Sequence, residues 1–356
     1  MVTCVLSCPL AVLAVAAVAT GEAPRRWSAE QANAWHARQP WLVGCNYVPS
    51  NAVNTTEMWQ AETFDAALID RELALAQGLG FNSTRVFVQY LVWQRDPEGT
   101  LKRLDQFVGI AAKRGLSTMP VLFDDCAFAN KQPYLGKQDD PVPGVHNSGW
   151  TPSPGHERVA DEKAWPDLER YVADIVGHFA RDERIVVWDL YNEPGNSGMG
   201  GKSLPLVRAC FAWARKAKPT QPLTIGVWNG GLRDYNAAQV ELSDVASFHS
   251  YGNLDAVKGL VAGLKAHGRP LLCTEWLARS MGSLPKSHLP FFQHEKIACY
   301  NWGLVNGKTQ THLPWGSKKG DPDPPVWHHD LFRRDGTPYD PQETAFLRAF
   351  LRPATP

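Results

Sequence analysis

The sequence predicts an α/β protein, a single (β/α)8 barrel with long βα loops after strands 3 and 8. Three observations predict it. Eight short β-rich runs recur from residue 41 onward, amphipathic helical patterns separate them, and several of those patterns stop at a Gly just before the next run. The length of 356 residues and a hydrophobic content of 44% are enough for one large core.

The elements follow in order. WLVGCNY (41–47) is the first strand, and DAALIDRELALAQGLG (65–80) returns the chain as a helix. STRVFVQY (83–90) and LKRLDQFVGIAAKRG (101–115) repeat the unit, as do LSTMPVLF (116–123) and WPDLERYVADIVGHFA (165–180). RIVVWDLY (184–191) precedes the helix LPLVRACFAWARKA (204–217). PLTIGVW (222–228), DVASFHSY (244–251), PLLCTEW (270–276) and IACYNWG (297–303) complete the set, with LDAVKGLVAGLKAHG (254–268) between the sixth and seventh strands. Two Pro- and Gly-rich segments, 124–160 and 307–340, are too long for plain connectors and follow strand ends, so they are expected to wall a cleft. No internal repeat or second domain is evident, and residues 24–356 read as one catalytic domain.

Composition excludes several functions. Lys plus Arg equals Asp plus Glu at 36 each, and no basic run provides the footprint of a nucleic-acid binder. Fourteen Trp suit the apolar faces of sugar rings, although most Trp residues are core. Residues 1–23, MVTCVLSCPLAVLAVAAVATGEA, read as a signal peptide without a basic n-region, which predicts a secreted or periplasmic protein with no membrane association after removal. The remaining cysteines, Cys45, Cys126, Cys210, Cys273 and Cys299, are odd in number and lack metal-site spacing; they read as buried free thiols. NSGMGGKS (196–203) lacks the first Gly of a phosphate loop. No cofactor is expected, and no metal, because adjacent His328 and His329 make a poor ligand pair. The oligomeric state is not legible.

Chemistry is expected where strands end. In this fold the working residues sit at the carboxyl ends of strands. Those ends carry Asn46, Tyr47, Gln89, Trp93, Asp124, Asp125, Asn192, Glu193, Trp228, Asn229, His249, Tyr251, Glu275, Trp276 and Trp302. Two Glu on separate strands supply the pair of carboxyls that glycoside cleavage requires. Asn-Glu-Pro ending the fourth strand, Glu275 ending the seventh, Arg85 within GFNSTRVFV and HSY on the sixth together resemble the clan A glycoside hydrolases, most closely the cellulase- and mannanase-type family 5.

The resemblance spans residues 41–350 and implies a retaining enzyme acting on a β-linked glucan, mannan or xylan, or a fragment of one. It implies Glu193 as acid/base and Glu275 as nucleophile, with Arg85, Asn192, His249, Tyr251 and Trp302 binding substrate. Two departures from the family pattern stand out: the third strand ends FDDC rather than Asp-x-His, and the eighth continues into NWGLVNGKTQTHLPW. Burial and the charge of Glu275 are expected to raise the pKa of Glu193, while Arg85 and Tyr251 hold Glu275 ionised.

Structural readings compete residue by residue. Arg85 suits a buried salt bridge, His249 a core position, Tyr251 and Trp302 plain packing, and Asp124 and Asp125 a turn. A catalytically silent carbohydrate-binding barrel is the competing function, and the presence of both Glu argues against it.

Overall fold

The computed structural model describes residues 26–352. Within them, eight parallel strands form one sheet: β1 (Val43–Asn46), β2 (Ser83–Phe87), β3 (Ser117–Asp124), β4 (Trp188–Asn192), β5 in two segments (Leu223–Thr224 and Gly226–Val227), β6 (Ala246–His249), β7 (Leu271–Trp276) and β8 (Ala298–Trp302). Each pairs with its sequence neighbours, and β1 pairs with β8 through Val43↔Cys299 to Asn46↔Trp302. The first segment of β5 pairs with β4 and the second with β6, so the barrel closes through a strand broken at Ile225; the register also shifts between Phe248 and His249 and between Cys273 and Trp276. The expected signal segment, residues 1–23, lies outside the described residues.

Local signals explain the helices. The first, α1 (Ala29–Arg38), opens on a capping box between Ser28 and Gln31. Next, α2 (Ala66–Leu79) is capped by Asp65 and ends at Gly80 with φ 96°, a left-handed position that suits Gly. Asp96 and Pro97 start α3 (Pro97–Lys113). The ring continues with α4 (Trp165–His178), α5 (Leu204–Lys216), α6 (Arg233–Leu242), α7 (Leu254–Lys265), α8 (Pro285–His294) and α9 (Pro341–Leu351).

Each barrel strand is followed by one of α2 to α9, and their apolar stripes pack on the strands in one continuous core. Helix α1 places Ala32 and Trp35 against Leu42, Met119, Val186, Val187, Val245 and Leu272, which closes the amino-terminal end of the barrel. The opposite end is left to the βα loops. No helix among the described residues is long and apolar enough to cross a membrane.

Candidate active site

The carboxyl ends of the strands open into a cleft of about 550 Å³. Asn192, Glu193, His249, Tyr251, Glu275 and Trp302 line it. Arg85 lies beneath its floor, fully buried. The guanidinium donates from Nε and Nη2 to Asp189 Oδ2 at 3.0 and 2.8 Å, from Nη1 to Asn46 Oδ1 at 2.7 Å and Glu275 Oε1 at 2.9 Å, and from Nη2 to Asn192 Oδ1 at 2.7 Å. Burial alone would lower its pKa, but the charges of Asp189 and Glu275 reverse that and raise it. One arginine therefore orients residues of β1, β4 and β7 together.

Glu275 receives a second donor, Tyr251 Oη at 2.7 Å on Oε2. Glu193 has a different set of neighbours. Its Oε1 lies 2.8 Å from His249 Nδ1, while Oε2 accepts from Asn196 Nδ2 at 2.5 Å and from the Cys126 thiol at 3.3 Å. One donor atom each of Glu193, His249 and Glu275 lies within 4.8 Å of the others. His249 Nδ1 is 3.5 Å from Glu275 Oε2, so its shorter contact, to Glu193, is the hydrogen bond. The imidazole is buried and its pKa falls to about 4, which keeps it neutral at ordinary pH. Its Nε2 has no partner among the described residues and faces Gly226, where a Cβ would lie only 2.9 Å away. A larger residue at 226 would displace the ring.

Backbone geometry adds to the picture. Glu193 has φ 40°, a left-handed conformation that a non-glycine residue adopts at a cost of about 1–3 kcal/mol, here directly before Pro194. The following loop is tied down: Gly195 N donates to Asp125 Oδ2 at 2.7 Å, and Ser203 Oγ to the same oxygen at 2.5 Å. Trp228 Nε1 donates to Pro194 O at 3.0 Å. Strain at Glu193 is thus held by anchors in the loop that follows it.

Burial raises the pKa of Glu193, and donors from Cys126 and Asn196 oppose it. Burial also raises the pKa of Glu275; the charge of Arg85 and the Tyr251 hydroxyl oppose the rise, and Glu193 adds to it. The sequence led us to expect the upward shift at Glu193 alone. Depth in the barrel acts on both, because desolvation disfavours the charged form of any carboxylate.

The other strand ends divide. Asp125, open between substrate binding and a turn, is structural: it accepts from Tyr191 Oη, Gly195 N and Ser203 Oγ. Asp124 positions its neighbours, accepting from Asn192 Nδ2, Cys126 N and Trp150 Nε1, and burial lifts its pKa to about 7. Tyr47, Gln89, Trp93 and Trp276 are buried and do not line the cleft. Four of the cysteines are buried free thiols as expected; Cys126 is instead partly exposed in the cleft. Sequence reasoning passed over Asp189, Cys126 and Asn196. A carboxylate inside the apolar run of β4 was a signal that a buried cation sits opposite, and FDDC put Cys126 where the resemblant pattern has His.

Both long segments wall the cleft, the first through His146 and Trp150, the second through Trp315 and His329.

A (β/α)8 barrel with paired carboxylates at its mouth has the parts of a glycoside hydrolase, which acts on carbohydrate by hydrolysing O-glycosyl bonds. Residues 46–308 match the family described as Cellulase (glycosyl hydrolase family 5), and the chain belongs to that family. No curated protein matches it. Among solved structures it is similar to a GH5_18 variant from Streptomyces cattleya in complex with Manb1-4GlcNAc, at TM-score 0.59 and 17% identity over 88% of this chain and 82% of that one. The exo-beta-1,4-mannosidase Op5Man5 from Opitutaceae bacterium strain TAV5 gives TM-score 0.59 and 19% identity over 87% and 59%. The hyperthermostable endo-1,4-beta-D-mannanase from Thermotoga petrophila RKU-1 gives TM-score 0.54 and 14% identity over 87% and 99%.

Proposed function

We propose that the protein is a retaining β-glycosidase that cleaves glucan-, mannan- or xylan-type chains through a glycosyl-enzyme intermediate. The observation that carries the reading is the pair of carboxylates in the cleft, Glu275 buried and Glu193 half-buried, with oxygens within 4.8 Å of each other and unlike neighbours. Retaining enzymes hold their carboxyl groups about 5–5.5 Å apart and inverting ones about 6.5–9.5 Å, to admit a water.

Glu275 is the nucleophile. The cation Arg85 on Oε1 and the Tyr251 hydroxyl on Oε2 favour its ionised form. Glu193, surrounded by neutral donors, keeps the proton, because two carboxylates this close do not both ionise readily. In the first step a Glu275 oxygen bonds to the anomeric carbon, the glycosidic C–O bond breaks and Glu193 gives its proton to the leaving oxygen. In the second, Glu193 takes a proton from water, the water oxygen attacks the same carbon and the ester to Glu275 breaks. Asn192 is fixed through Oδ1 by Arg85 and through Nδ2 by Asp124; its other N–H makes only a long contact to Cys126 Sγ at 3.6 Å, which a substrate hydroxyl can replace. Arg85 acts on substrate through Asn192 and Glu275, while His249, Tyr251 and Trp302 face the cleft directly. The same reading includes export directed by residues 1–23, for which the mature amino terminus of secreted protein is the check.

The cluster of Glu193, His249 and Glu275 also has the spacing of a cation site. Arg85, at 2.9 Å from Glu275, already supplies the positive charge there, which favours the metal-free reading.

The test is hydrolysis of a panel of aryl β-glycosides and β-linked polysaccharides by wild type and Glu275→Ala, with azide added to the variant. Loss of activity and recovery as a glycosyl azide of inverted configuration is the expected outcome. A wild type inert on the whole panel overturns the reading.

A further inference from the structure

Beyond Tyr251 the cleft wall is made of rings that the catalytic steps do not use. Trp315, 41% exposed, lies edge-on to Tyr251 with centroids 4.8 Å apart. His146 and His329 flank it at 6.2 and 5.5 Å and stand 5.5 Å from each other. All three line the cleft, His146 from the segment after β3, Trp315 and His329 from the one after β8.

The hydrogen bonds of the two imidazoles fix what they offer. His146 Nδ1 is 2.7 Å from Leu313 O, and His329 Nδ1 is 2.5 Å from Leu277 O. A carbonyl oxygen only accepts, so each Nδ1 carries the proton and each Nε2 presents a lone pair. Neither Nε2 has a protein partner among the described residues. Burial lowers the pKa of His146 to about 4 and that of His329 well below its ordinary value, so both rings stay neutral. No Lys or Arg lines the cleft among the described residues. Arg279, nearby, is consumed by Glu343 and by the carbonyls of Trp327, His329 and Asp330.

We propose that Trp315, His146 and His329 form a sugar subsite one ring removed from the cleavage point, which accepts an uncharged, hydroxyl-bearing unit and rejects a uronic acid. Two acceptor nitrogens suit the O–H donors of a neutral sugar, and the indole suits its apolar ring surface. A uronate carboxylate would bring lone pairs to lone pairs in a cleft that already holds Glu193 and Glu275, and would be buried there without a cation. This inference rests on the glycosidase reading and names the substrate class of the same cleft.

The test compares kcat/KM for cellotetraose or mannotetraose, whichever the panel shows to be hydrolysed, with kcat/KM for the matching aryl monoglycoside. In Trp315→Ala the ratio of the two is expected to fall tenfold or more, and in His146→Ala by about two- to tenfold, the range of a neutral hydrogen bond. An unchanged ratio, with both substrates slowed alike, overturns the subsite while leaving the catalytic reading intact. Trp315 is exposed enough that its variant folds even if the histidine variants do not, and thermal melts report which did. Calorimetry on Glu275→Ala provides the second arm: the tetrasaccharide oxidised to uronates at C6 is expected to bind at least tenfold more weakly than the neutral one. Equal or tighter binding overturns the exclusion. If the wild type hydrolyses nothing, the glycosidase reading fails separately, and the same calorimetry on the wild type still decides whether the wall selects neutral sugars.

Discussion

The ends of β4 and β7 carry the same side chain to the same cleft and surround it differently. At β7, Glu275 meets a guanidinium and a phenol; at β4, Glu193 meets an imidazole, a thiol and an amide, all neutral. Burial raises both pKa values. The charge of Arg85 lowers the pKa of both, but only Glu275 touches it, and that direct contact separates their roles by favouring ionisation of Glu275 and so leaving the proton on Glu193.

The largest effect that would break this comparison comes from removing each carboxylate in turn. Glu275→Ala should lose on the order of 10⁴- to 10⁶-fold in kcat on every substrate, since no nucleophile remains. Glu193→Ala should lose about 10²- to 10⁴-fold on poor leaving groups and far less on a dinitrophenyl glycoside, which departs without protonation. Steady-state kinetics across leaving groups of graded acidity is the measurement. Equal losses across that series in both variants would mean that the two residues do not divide the work as their surroundings suggest.

Arg85 comes next, because it creates the asymmetry. Arg85→Met leaves Asp189 buried without its cation, and breaking a buried pair in this way costs about 3–5 kcal/mol. The variant should melt earlier in thermal denaturation. In whatever fraction folds, loss of the cation raises the pKa of Glu275, so the acidic limb of the kcat/KM profile moves to higher pH. A variant that is destabilised but keeps its acidic limb would assign Arg85 to structure alone.

The barrel was legible because its signals are local. Alternation of β-rich runs with amphipathic patterns depends on neighbouring residues; six of the eight strands fall within the runs read from sequence, and β3 and β4 overrun theirs by one residue, Asp124 and Asn192. Helices with weak stripes were passed over: α6 reads RDYNAAQVEL, and α8 contains Pro290. The site was legible as far as strand ends could take it, which brought in Asn192, Glu193, His249, Tyr251, Glu275 and Trp302. What stayed hidden depends on contacts between distant segments. His146 and His329 are 183 positions apart, and their acceptor character is set by the carbonyls of Leu313 and Leu277, which no local pattern announces. Cys126 was visible only as a departure from a pattern, and its contact with Glu193 required the fold.

That contact makes the smallest prediction and tests the β4 side of the comparison most finely. Partial burial and the carboxylates Asp124 and Glu193 around it raise the pKa of the Cys126 thiol, so it stays protonated and donates to Glu193 rather than competing for its proton. A donor on Oε2 favours the ionised form of Glu193 and so restrains the upward shift that burial imposes. Cys126→Ala removes that restraint. The pKa of Glu193 then rises, and because the acid must be protonated to act, the basic limb of the kcat/KM profile should move to higher pH while the acidic limb, which reports Glu275, stays in place. Cys126→Ser restores a donor and should return the basic limb towards its wild-type position, with losses in kcat/KM below about tenfold in both variants. A shift of the acidic limb instead would mean that the two carboxylates titrate as one pair and that the thiol acts on Glu275 through it.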